Sequence, residues 1–224
     1  MASKLLPPQV VTGARMLILC YVPADPRAAA ALLPAALKPA KNKAIFLNQY
    51  VVDKAEQTSG FGAYSLTYAG PELDGLNADK TTQGRYWTHY LNSSAAMRAY
   101  VKERGVPATP GETTLVQRGR RVVATTFDKS KPIIRTTVEV GKKYSVARGQ
   151  LRYFSNIGNT YLDGRYPYVI PAADQLTVIA VEFLDPKHSI YALRPASPFK
   201  LTAGIYTPSG TFCYPGGQDI WTPK

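Results

Sequence analysis

"TTLVQRGRRVVATTFDKSKPIIRTTVEV", residues 113–140, is the stretch whose reading decides the fold. It is dense in Thr, Val and Ile, which suit a pleated, half-buried surface. Gly119 sits at the centre of QRGRR (117–121), a hairpin signal, and KSK (129–131) marks a second turn. In the run 133–140, Ile134, Thr136, Val138 and Val140 share one face, and Ile133, Arg135, Thr137 and Glu139 share the other. Consecutive hairpins of this kind make an antiparallel sheet.

The same signals recur along the chain. "AIFLNQYVV" (44–52), "GAYSLTYAG" (62–70), "RYWTHYLN" (85–92), "LTVIAVEFL" (176–184) and "SIYALR" (189–194) read as strands bounded by Gly, Pro, Asn or Asp. "MLILCYV" (16–22) also reads as a strand, being too short for the core of a signal peptide. Two segments read as helices. "ADPRAAAALLPAAL" (24–37) has Asp25 as N-cap and Pro26 at the first helical position, with Pro34 to end or kink it. "NSSAAMRAYVKERG" (92–105) has a serine cap and Gly105 as its stop. The final stretch, 206–224, holds too much Gly and Pro for a long element. No repeat or linker divides the chain. The expected fold is therefore α+β, one domain over 1–224, with a mainly antiparallel sheet curled into a barrel or cone and two flanking helices.

A formal charge of +12 would suit nucleic acid, an acidic surface or anionic small molecules. The basic residues, however, cluster at turn tips (117–121, 129–131 and Lys142-Lys143) and no nucleic-acid motif accompanies them, so no nucleic-acid partner is expected. No apolar run of membrane-spanning length is present, and no membrane partner is expected. Cys20 and Cys213 read as free thiols of a reducing compartment, which makes a cytoplasmic location the expectation. Neither a metal nor a cofactor motif appears.

The order of elements resembles the acetoacetate decarboxylase superfamily over roughly residues 16–200. A strand ends in "YVPADP", a helix ends in "LLPAAL", a "SGFGAY" turn opens the next strand, and "GRYWTHYL", a helix and a proline loop follow. The resemblance implies a homo-oligomer and a Schiff-base reaction on a β-keto acid, run by the first lysine of a Pro-Lys-Lys loop whose amine is held unprotonated. Carried onto this chain, that loop falls on Pro107-Ala108-Thr109. The family's Gly-Arg-Glu falls on Tyr100-Val101-Lys102, its first-strand arginine on Val22 and its glutamate on Leu66. An alanine cannot form a Schiff base, so the chain is expected to lack the family reaction.

What remains is a pocket inside the cone, with Tyr64, Leu66, Tyr86, Tyr90, Val106, Ala108 and Thr109 as candidate substrate-binding residues. Alternation puts Tyr86 and Tyr90 on one face. The candidate catalytic groups are Lys102, as a relocated amine or a solvated helix lysine, His89, and Glu139. Glu139 shares a strand face with Arg135; turned inward the pair would bind a carboxylate and move a proton, turned outward it is a surface pair of little worth. The expected function is an enzyme acting on a small anionic or aromatic compound (a keto acid, enol or polyketide-type molecule) by lysine-independent proton transfer. The alternatives are a Schiff-base enzyme with a relocated lysine and a non-catalytic binding protein.

Overall fold

The computed structural model describes residues 5–214 and 219–223. In chain order it contains β1 (Gln9–Tyr21), α1 (Pro26–Ala30), β2 (Ile45–Val52), β3 (Tyr64–Leu73), β4 (Gly84–Tyr86), β5 (His89–Asn92), α2 (Ala95–Lys102), β6 (Ala108–Pro110) and β7 (Glu112–Arg118). There follow β8 (Arg121–Asp128), β9 (Lys131–Val140), β10 (Tyr144–Ile157), β11 (Thr160–Ala173), β12 (Leu176–Phe183), β13 (Leu201–Tyr214) and β14 (Asp219–Trp221).

The strands β2, β1, β13, β11, β10, β4 and β3 pair in that order, and β3 pairs back to β2, so the sheet closes into a barrel. All these pairings are antiparallel except β10 with β4. The hairpins read from residues 113–140 form a second, four-stranded sheet in the order β12–β9–β8–β7. Gly119 takes φ +59° at the β7–β8 turn, as a two-residue hairpin requires. Lys129 and Ser130 adopt positive φ at the next one.

Alternation gives the barrel wall two buried faces. Met16, Ile18 and Cys20 of β1, Phe46 and Tyr50 of β2, and Tyr64, Leu66 and Tyr68 of β3 fill the lumen. Their neighbours Leu17, Leu19, Tyr21, Ile45, Leu47 and Ala69 pack outward against Leu115, Val122, Ala124, Ile134 and Val138 of the small sheet. Among the described residues no helix is long and apolar enough to cross a membrane.

Four sequence expectations change. The 24–37 helix is only one turn and a half, α1. Asp25 does cap it, accepting from the amides of Arg27 and Ala28, but Pro34 has no N–H for the Ala30 carbonyl and the chain leaves through turns. Residues 189–193 form a 3-10 turn, not a strand; the His188 ring accepts from the Ile190 amide, and Ile190 and Leu193, three apart, are the buried pair. Residues 201–214, partly within the segment read as too rich in Gly and Pro, are a long strand. Pro208 and Ser209 fall opposite Arg15 where the β1–β13 register shifts, so the missing proline N–H costs no ladder bond. "RYWTHYLN" breaks into β4 and β5 at Trp87-Thr88, where the Thr88 amide and hydroxyl both donate to the Ala69 carbonyl.

Candidate functional site

The break at Trp87-Thr88 shapes the lumen. The backbone there crosses β3 at Gly70 so closely that a Cβ on Gly70 would lie 1.9 Å from the Tyr86 carbonyl oxygen. The crossing resets the alternation, so that Arg85, Trp87 and Tyr90 face the lumen while Tyr86 turns out. Trp87 stacks on Tyr153 at 4.5 Å and 6°, and Tyr68 on Tyr90 at 5.8 Å and 8°.

Hydroxyls join the rings into two chains. Tyr50 shares hydrogen bonds of 2.9 Å with both Tyr64 and Tyr214, and Tyr214 reaches Tyr90 at 3.4 Å. Asn48 donates to the Tyr68 hydroxyl at 2.5 Å, and Tyr68 meets Tyr153 at 3.0 Å. The second chain ends on a charge. Arg85 Nη1 donates to Tyr153 at 3.4 Å and Nη2 to Cys20 Sγ at 3.2 Å; Nη2 also lies 3.5 Å from Glu72 Oε1. Arg85 and Glu72 are 6% and 5% exposed, which makes them a buried ion pair. Burial opposes the arginine's charge, but Cys20, Tyr153 and Glu72 outweigh it and the guanidinium pKa rises above its ordinary value. The Cys20 thiol is pushed up to about 12, first by burial, and stays protonated. Burial likewise raises Tyr50, Tyr64, Tyr68 and Tyr90 well above the usual phenol range and Tyr214 to about 12. At Tyr153, burial also raises the pKa, but Arg85 opposes it.

Beside Arg85 the rings leave a cavity of about 60 Å³. That is space for a small organic molecule. Its wall is apolar and aromatic, with Met16, Ile18, Leu151, Tyr166, Ile170 and Phe212 joining Arg85, Trp87 and Tyr153. Arg85 Nε and Trp87 Nε1 are buried donors with no hydrogen-bond partner among the described residues. Between β11 and β13 the register covers only Tyr168 with Phe212 and Val169 with Thr211. Outside that seam lies a shallow depression that includes Tyr168 and Phe212 themselves.

This architecture has solved counterparts. An acetoacetate decarboxylase superposes with a TM-score of 0.70 at 13% identity, covering 97% of this chain and 90% of that one. The chain has the acetoacetate decarboxylase-like fold. The enduracididine biosynthesis enzyme MppR, solved in complex with pyruvate, matches with a TM-score of 0.67 at 12% identity (98% and 93% covered). An acetoacetate decarboxylase-like enzyme from Sphingomonas wittichii RW1 matches with a TM-score of 0.61 at 13% identity (100% and 99%). No family model and no curated protein matches the sequence.

Within this acetoacetate decarboxylase-like barrel the residues expected from sequence scatter. Tyr64, Leu66, Tyr90, Val106 and Ala108 do face the lumen, in its filled part and not at the cavity. Ala108 is buried, Thr109 is exposed, and no lysine is buried among the described residues. The remaining candidates lie away from the lumen, which corrects Tyr86 and His89 and settles Lys102 and the Glu139–Arg135 pair on their solvated alternatives. Tyr86 lies outside the barrel, donating to Asn156 Oδ1, because the alternation resets after it. Lys102 is exposed in the last turn of α2. Glu139 and Arg135 take the outer face of β9, since Ile134, Thr136, Val138 and Val140 fill the inner one. His89 points away from the lumen, its ring bonded to Thr88 Oγ1 and Ser189 Oγ at 3.0 Å each. The groups that do border the cavity or support its wall (Arg85, Glu72, Trp87 and Tyr153) were not singled out from sequence.

Proposed function

We propose that the protein is a small-molecule enzyme that works by proton transfer on an enolisable carbonyl compound held in the barrel lumen, without a Schiff base. One observation carries this reading: two buried, unpartnered donors, Arg85 Nε and Trp87 Nε1, belong to residues that line a small aromatic cavity. Such donors suit a carbonyl oxygen and suit the enolate oxygen better, which is the difference that accelerates a reaction. Tyr153, where Arg85 offsets part of the burial, is the phenol best placed to exchange a proton with the ligand. The enzymes of similar fold, one of them in complex with pyruvate, support a small carbonyl substrate. Ala108 in place of the loop lysine supports a route without an amine.

The test is deuterium exchange. Protons next to the carbonyl of acetoacetamide or acetone should exchange with D2O faster in the presence of the protein, followed by NMR. Borohydride should trap no adduct on any lysine. Arg85→Met should lower the exchange rate by about a hundredfold, the usual cost of one lost oxyanion donor. A lysine adduct overturns the reading. A second reading, a binding protein without turnover, is favoured by the upward shift of Tyr68, Tyr153, Tyr168 and Tyr214, since a phenol held protonated is a poor base. Binding of these compounds with no exchange would establish it.

A further inference from the structure

The charges around the cavity sum to zero before any ligand arrives. Arg85 is the cation and Glu72, 3.5 Å from it, is the anion. The other ionisable groups facing this pair are Cys20 from β1, Tyr68 from β3, Tyr153 from β10, Tyr166 and Tyr168 from β11 and Tyr214 from β13. None of these is a carboxylate, lysine or histidine. The thiol stays protonated at neutral pH, as do the phenols of Tyr68, Tyr153, Tyr168 and Tyr214. A carboxylate entering beside Arg85 would therefore meet a cation already paired, and would sit as a net negative charge in an apolar, aromatic space. A neutral oxygen, by contrast, needs only a donor, and the residues lining the cavity hold two that are unpartnered, Arg85 Nε and Trp87 Nε1.

We infer that the lumen selects an uncharged carbonyl, enol or phenol compound over a carboxylate, and that Glu72 is the residue that sets this preference. The inference rests on the reading of the lumen as a ligand site. Glu72 acts at one remove, through the charge of Arg85, as a specificity-determining residue. Proton transfer within the lumen leaves the total charge unchanged, so the same balance serves the reaction.

Two probes of one shape test it: acetoacetamide and acetoacetate, titrated calorimetrically at pH 7.5 into the wild type and Glu72→Gln. The amide should bind the wild type at least tenfold more tightly. Glu72→Gln frees the guanidinium, and the order should reverse, with acetoacetate raising the variant's melting temperature and the amide not. If the variant does not fold, the wild type alone decides. Acetoacetate should then bind with uptake of about one proton, measured in phosphate and Tris buffers, and about tenfold more tightly for each unit of pH lowered between 7.5 and 5.5. Acetoacetate binding the wild type as tightly as the amide, without proton uptake, overturns the inference and leaves the lumen site standing. Binding of neither probe to the wild type overturns both.

Discussion

His89 shows how a residue with catalytic chemistry can be set to structural work. Its ring bridges Thr88, at the break between β4 and β5, to Ser189 in the 3-10 turn. Burial, with the nearby His188 ring, lowers its pKa from 6.5 to about 4. Unfolded His89 takes up a proton as pH falls through the ordinary range, whereas folded His89 does so only near 4. Its contribution is therefore complete above about pH 6.5 and drains away as pH falls toward 4. Between pH 7 and pH 5 the expected loss from this one group is about 2 kcal/mol. Urea midpoints at the two pH values should show that loss in the wild type and a shallower one in His89→Gln. Equal slopes would show that His89 is solvated. Arg85 and Glu72 are the opposite case, two charges that composition alone assigns to the surface and the structure buries as a pair.

At the level of elements, the hairpins of β7, β8 and β9 were legible because turn residues and β-branched runs act locally. The crossing between β4 and β5 was not, because its cause lies in another strand: the small space over Gly70. Alternation read through the break put Tyr86 inside and Trp87 outside, the reverse of the structure. A signal was present in "YAGPELDG" and "GRYW", where a glutamate and an arginine interrupt residues that otherwise read as buried. Two glycines separate the possible causes. Gly70→Ala puts a methyl group against backbone and should cost about 3 kcal/mol. Gly119→Ala has open space but a positive φ, and should cost about 1 kcal/mol. Denaturant unfolding measures both, and near-UV circular dichroism should change only for Gly70→Ala, which displaces the Trp87–Tyr153 stack.

For the whole molecule, the two thiols report on the barrel. Both are free, Cys20 sealed in the lumen and Cys213 on β13 part-exposed. Native alkylation should label Cys213 alone, with Cys20 reacting only as the barrel opens and therefore no faster than global unfolding allows. Rapid labelling of Cys20 in the native state would mean that the barrel opens locally, without global unfolding. Closure of the sheet was anticipated from the run of hairpins, but where the cavity would lie was not, since it depends on which of fifteen tyrosines meet across the lumen.

The strands β1, β2 and β3 form a party wall, with a lumen on one side and the small sheet's core on the other. Phe46 faces the lumen while Ile45 and Leu47 hold the second core. A substitution at Ile18, which lines the cavity and lies between Leu17 and Leu19 of the second core, therefore acts on backbone that also packs against β8 and β9. In descendants of this sequence, changes in the lumen should arrive together with compensating changes among Val122, Ala124, Ile134 and Val138, at positions no ligand touches.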